Sequence, residues 1–160
     1  MRIVIAATAI AAALALPASA AAQEQNIVEI AASDSRFDTL VALVEQAGLA
    51  DELSGEDELT VFAPTDRAFK RVPEKTLNKL GRKPKLLERV LLYHVAAGDL
   101  KAEDVVQRRK IRTLANRNVR VRVRDGNVYL NRRSKVVQAD VAARNGTIHV
   151  INRVLLPPAR

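Results

Sequence analysis

The apolar residues of this chain change after Ile111 from a mainly helical period to an alternating one, and that change restricts the fold more than any other feature. Asn26 to Ala32 reads as a short opening helix, and Ser33-Asp34 offers capping oxygens for a second. Phe37, Leu40, Val41 and Val44 follow at helical spacing, with Gly48 as the stop and Leu49 to Leu53 as one further turn. Glu58 to Ala63 reads as a strand ending at Pro64, after which Thr65-Asp66 caps a helix carrying Phe69. Pro73 and Pro84 stand where proline suits the first turn of a helix. The second of these helices carries Leu87, Val90, Leu91 and His94 on one face and runs to Gly98, and Ala102 to Val106 forms another short helix. After Ile111 the pattern alternates. Val119, Val121 and Val123 interleave with Arg120, Arg122 and Arg124, as in a half-buried strand with guanidinium groups outside. Asp125-Gly126 is a hairpin signal, since the favoured two-residue turn needs positive φ at both positions. Val128 to Leu130, Val136 to Val141 and Thr147 to Val154 supply more strand, the last two separated by Asn145-Gly146. Helices followed by a meander of strands predict an α+β fold with a mainly antiparallel sheet.

The first 22 residues stand apart from this pattern. Met1-Arg2 is a short positive start, Ile3 to Leu16 is almost unbroken apolar sequence, and Pro17 to Ala22 supplies small residues. That order predicts a secretory signal peptide over residues 1–22, with cleavage after Ala20 or Ala22, because the apolar run is shorter than the ~20 residues of a membrane span. Charges interrupt every later apolar run, so no transmembrane segment is expected in the mature chain. Residues 23–160 then suit one domain. With no cysteine, neither disulfides nor thiolate metal sites are available, and the core must hold by apolar burial. An exported protein, periplasmic or secreted, is the expectation.

Three stretches together resemble the fasciclin (FAS1) domain family. Thr60-Val61-Phe62-Ala63-Pro64-Thr65-Asp66-Arg67-Ala68-Phe69 is similar to the family's first signature, and Tyr93-His94 to its central pair. Asn145-Gly146-Thr147-Ile148-His149-Val150-Ile151-Asn152, continuing to Pro157, is similar to its second signature. Their order and spacing match one complete domain. The resemblance implies a wedge of antiparallel strands with several helices packed on it. It also implies an exported or cell-surface protein of adhesion and matrix contact, with no shared catalytic activity and no cofactor. The family often has Asp where this chain has Asn152, so no acid-dependent receptor contact is carried to that position.

Most motif residues have a structural explanation. Thr65 and Asp66 are sufficient as helix caps, and Phe62 and Phe69 as core anchors. His94 has two readings: the resemblance associates the Tyr-His pair with adhesive contacts, whereas its place on the Leu87, Val90, Leu91 stripe favours a buried neutral imidazole bonded to a backbone carbonyl. Tyr93, off that stripe, is expected to be the more exposed of the two. His149 shares a strand face with Thr147 and Ile151. Two histidines fall short of the three or four protein ligands of a zinc site, so no metal is expected.

The charge carries the remaining functional signal. The chain has a net charge of +8. Between Arg108 and Lys135 stand eleven basic residues and one acid, Asp125. Arg120, Arg122 and Arg124, with Arg132, Arg133 and Lys135 across the following hairpin and Arg108, Arg109 and Lys110 as an extension, read either as a solvated face that discourages edge aggregation or as an anion-binding surface. Cell-surface or matrix proteins and anionic glycans are the expected partners. Nucleic acid is not, since Tyr129 alone among aromatics lies within the basic region and a stacking platform needs more. A periplasmic or secreted enzyme is the competing class. Against it, the chain has no Gly-x-Ser-x-Gly elbow, phosphate loop or dinucleotide fingerprint, and no catalytic residue is assigned.

Overall fold

The structure, a computed structural model, describes residues 24–157; the expected leader lies outside the described residues. Helix α1 (Ile27–Ser33) is the first element of the described residues, capped by Asn26, whose side chain accepts the Glu29 N–H while the Glu29 carboxylate accepts that of Asn26. Asp34 caps a 3-10 turn over Ser35–Phe37, and α2 (Asp38–Gln46) and the single turn α3 (Ala50–Leu53) follow. After β1 (Leu59–Pro64), Thr65 caps α4 (Asp66–Lys70) by accepting the Ala68 N–H at 3.3 Å. Helices α5 (Glu74–Arg82) and α6 (Pro84–Leu92) meet at Lys83, which ends one and caps the next. Pro84 takes the first helical position of α6 as expected, whereas Pro73 stands one residue before α5 as its cap.

The helix carrying His94 ends earlier than its apolar spacing suggests. It stops at Leu92, and Val95–Ala97 forms β2, an edge strand paired antiparallel to β1. Three residues are too few for a readable alternation, and pairing with β1 supplies the hydrogen bonds a helix would have made. Then come α7 (Ala102–Val106), β3 (Lys110–Arg112), β4 (Asn118–Arg124), β5 (Asn127–Leu130), β6 (Ser134–Ala143) and β7 (Gly146–Ile151). The last strand closes three residues before the expected Val154. At the β4–β5 hairpin, Asp125 and Gly126 have φ of 51° and 75°, as that turn requires.

The strand order is β2-β1-β7-β6-β5-β4-β3. All pairings are antiparallel except β1 with β7, which run parallel from Leu59 opposite Gly146 to Pro64 opposite Ile151. The sheet curls until its two end strands meet. Ala96 bridges Thr113, and the Leu114 N–H donates to the Val95 carbonyl at 2.8 Å.

Curling gives the sheet an inside and an outside, and alternate residues sort between them. Phe62, Ala96, Ile111, Val119, Val121, Leu130 and Ile151, contributed by six strands, form one cluster inside the curl, joined by Tyr93, Leu100, Val105 and Leu155. Leu59, Val61, Ala63, Ile148 and Val150 face outward and are covered by α1, α2, α5 and α6 through Ile27, Phe37, Leu40, Leu80, Leu87, Val90 and Leu91. Strands β1 and β7 are therefore buried along their whole length, which explains their near-continuous apolar sequence.

Gly146 sits where this parallel pair begins, with φ of +149°. A Cβ there would stand 1.7 Å from the Leu59 carbonyl oxygen, so only glycine lets the two backbones approach.

Candidate functional site

The outer surface of the curl has two halves. Helices cover β1 and β7, while among the described residues no helix lies on the outside of β3, β4 and β5, which carries the arginines. Val119 and Val121 point inward and are buried; Arg120, Arg122 and Arg124 alternate with them and are exposed. Successive arginines along β4 thus leave the backbone about 6.5 Å apart. Val123 departs from the expected alternation: it is 53% exposed, because it lies past the end of the inner cluster.

Cross-strand register places further cations in rows with these. Lys110 of β3 stands opposite Arg120, and Arg112 opposite Asn118. Arg122 stands opposite Tyr129, and Tyr129 opposite Lys135. Residues directly opposite share a face, so Lys110, Arg112 and Lys135 join the three arginines. The Arg124 guanidinium lies 5.7 Å from the centre of the Tyr129 ring, a cation–π contact that holds it over the sheet. The ion pairs among the described residues are Arg36–Asp34 and Lys101–Asp99. None of the six cations on this face is paired.

Two expected members lie elsewhere. Arg132 is exposed at the β5–β6 turn, with φ of 71°. Arg133 lines a cleft with Arg71 and Arg153. Arg112 is a member that sequence patterning overlooked, since a three-residue strand gives too little alternation to assign its face.

Tyr93 is buried, at 1% exposure, contrary to its expected position. Its hydroxyl donates to the Asn118 carbonyl at 3.1 Å and accepts from Asn131 Nδ2 at 2.8 Å. Asn131 Oδ1 in turn accepts the Arg120 N–H at 3.0 Å. Tyr93 is therefore a strut inside the curl that ties the start of β4 to the β5–β6 turn, beneath the arginines.

His94 is 2% exposed. Its Nδ1–H donates to the Val90 carbonyl at 2.7 Å, and Nε2 accepts the Leu155 N–H at 2.8 Å. Burial pushes its pKa down to about 4 against the opposing pull of the Val90 carbonyl. His149 is built alike. Nε2–H donates to Leu100 O at 2.7 Å, Nδ1 accepts the Asp140 N–H at 3.3 Å, and the ring stacks on Phe62 at 5.7 Å. Burial lowers its pKa, opposed by the Leu100 carbonyl and the Asp140 carboxylate. Backbone groups use both nitrogens of each ring, so neither has a lone pair or proton left for a ligand.

The other motif residues also serve the fold. Thr60 donates to Gly98 O at 2.7 Å and accepts the Leu100 N–H at 2.8 Å. The Asp66 carboxylate accepts the Thr39 N–H at 2.9 Å, and Phe62 and Phe69 are buried. Asn145 accepts the Ile27 N–H at 3.0 Å and donates to Leu53 O and Gly55 O at 2.8 and 3.1 Å. Asn152 accepts the Lys135 N–H at 2.9 Å through its side chain and returns its own N–H to Lys135 O at 3.1 Å. Pro64 ends β1 before the α4 cap.

One polar group went unread in the sequence. Thr147 Oγ1 donates to Asp99 Oδ1 and accepts from Lys101 Nζ at 2.7 Å. Thr147 is fully buried, which keeps its hydroxyl away from any substrate. Among the described residues there is no group of three or more acids and histidines placed to hold a metal, and no helix long and apolar enough to cross a membrane.

Residues 35–157 match the family model described as the Fasciclin domain. The chain is 44% identical over 136 residues to protein sll1483 of Synechocystis, covering 83% of this chain and 74% of that one. It is 33% identical over 150 residues to the cell surface glycolipoprotein MPB83 of Mycobacterium bovis, covering 90% of this chain and 66% of that one. Among solved structures, a FAS1 domain pair from the insect cell adhesion molecule Fasciclin I superposes with a TM-score of 0.67 over 84% of this chain and 51% of that one, at 21% identity.

Proposed function

The chain belongs to the fasciclin domain family, and on that premise we propose that it is an exported adhesion module. Its single domain, residues 23–160 after a leader of residues 1–22, attaches to anionic glycan on cell or matrix surfaces, including glycan carried by surface and matrix proteins. Binding is reversible and involves no bond chemistry. The observation that carries this reading is the outer face of β3, β4 and β5, where Arg120, Arg122 and Arg124 stand in rows with Lys110 and Lys135 and no acid among the described residues pairs them. Guanidinium forks in such rows suit the sulfates and carboxylates of a polysaccharide, because each pairs bidentately with a planar or tetrahedral oxyanion. The name of one relative, a cell surface glycolipoprotein, supports the surface location in this reading.

The inertness of both histidines supports binding over catalysis. Burial lowers the pKa of both, and each is saturated by backbone. Retention of the mature protein on heparin beads tests the proposal, with Arg120, Arg122 and Arg124 together changed to Ser. Wild type is expected to bind and the triple variant to elute at much lower salt. Equal retention of the two removes the arginine face from the account.

A further inference from the structure

A second cationic surface lies on the helices. Lys75, Lys79 and Arg82 recur at helical spacing along one side of α5, and all three are exposed. The turn at Lys83 folds α6 back beside α5, which brings Lys85 and Arg89 to the same corner. An open cleft of about 550 Å³ holds Lys75, Lys79, Arg82 and Lys83 with one acid, Glu74. A neighbouring cleft of about 630 Å³ shares Arg82 and Lys83 and adds Lys85 and Arg89, with no acid in its lining. None of these six cations belongs to an ion pair among the described residues.

The curl decides how this corner is placed relative to the arginine face. Seven strands in the order β2-β1-β7-β6-β5-β4-β3, closed by the Ala96–Thr113 bridge, put β4 across the ring from the β1–β7 pair. Leu80 of α5 and Leu87, Val90 and Leu91 of α6 belong to the core cluster on the outside of that pair, and α6 packs on its neighbour β2. The charged sides of the two helices point away from that cluster. The two basic surfaces therefore lie on different parts of the domain, one on the outer face of the sheet and one on the helical layer.

We infer that one copy of this chain bridges two polyanionic glycan strands, one on the β4 face and one on the α5–α6 corner. A single basic surface coats a glycan layer; two separate ones can join one strand to another, which is what adhesion requires of a lone domain. The inference rests on the reading of the β4 face as a glycan-binding surface.

A sandwich measurement tests it with the mature chain. The protein is loaded onto immobilised heparin, excess is washed away, and capture of soluble fluorescent heparin is read. Wild type is expected to capture it. Lys79→Ser, Arg82→Ser and Lys83→Ser together should leave first-layer binding through the β4 face and lower capture per bound protein at least tenfold. All three side chains are exposed, so the fold should be nearly unaffected, and a matching thermal melt confirms it. Bound wild type that captures nothing overturns the bridge while leaving the glycan reading intact. Capture undiminished in the helical variant also overturns it, since two copies would then be presenting the same face. Failure of wild type to bind the first layer contradicts the glycan reading, and the bridge with it.

Discussion

The ring of His94 accepts the backbone N–H of Leu155 at 2.8 Å, so the end of α6 holds the segment that follows the last strand. Only a neutral imidazole can do this while its other nitrogen donates to Val90.

Mild acid should therefore loosen the fold. The folded pKa of His94 is about 4 against the ordinary 6.5, so the unfolded chain takes up a proton first. Stability is complete above pH 6.5 and declines as pH falls from there to about 4, by on the order of 3 kcal/mol. His149 acts in the same direction. Urea midpoints at pH 7.5, 5.5 and 4.5 check this, and equal midpoints would contradict it.

Gly146→Ala is expected to prevent folding or to cost more than about 3 kcal/mol. The new methyl would meet the Leu59 backbone at 1.7 Å, and neither strand of the parallel pair can withdraw without breaking its ladder. Circular dichroism melts suffice to read the outcome.

Asn145→Ala should cost roughly 3 kcal/mol or more, at about 1–3 kcal/mol for each buried group stranded. The Ile27 N–H and the Leu53 and Gly55 carbonyls would all lose a partner. Asn145→Asp should not rescue it, because a carboxylate keeps the first bond and faces two carbonyls with no donor. Chemical denaturation of both variants distinguishes them.

Tyr93→Phe removes a hydroxyl that no partner molecule can reach. It should lower stability by about 1–2 kcal/mol and also weaken heparin retention, since Asn131 loses the anchor that sets the Arg120 backbone. A variant that loses stability but elutes with wild type would separate the strut from the face.

What was legible in the sequence had local causes. The β4–β5 hairpin was readable because Val and Arg alternate up to Asp125-Gly126, whose positive φ angles are a property of those two residues. The cap at Thr65 and the helix Ala102–Val106 are local too. Tyr93 was misplaced because its burial comes from the far side of the curl, through Asn118 and Asn131. Strand β2 was hidden since Val95, Ala96 and Ala97 extend the apolar run of α6. The α5–α6 corner escaped notice because Glu74 and Glu88 dilute the charge in sequence, and only the turn at Lys83 gathers the cations in space.

Salt dependence tests the central claim most directly. Binding of the mature chain to heparin is measured from about 50 to 400 mM salt, for wild type and for the variant with Arg120, Arg122 and Arg124 changed to Ser. Cations that displace glycan counterions make log Kd rise linearly with log salt concentration, more steeply the more of them take part. The account predicts a steep line for wild type and a distinctly shallower one for the variant. Superimposed lines, or wild-type affinity indifferent to salt, would contradict it.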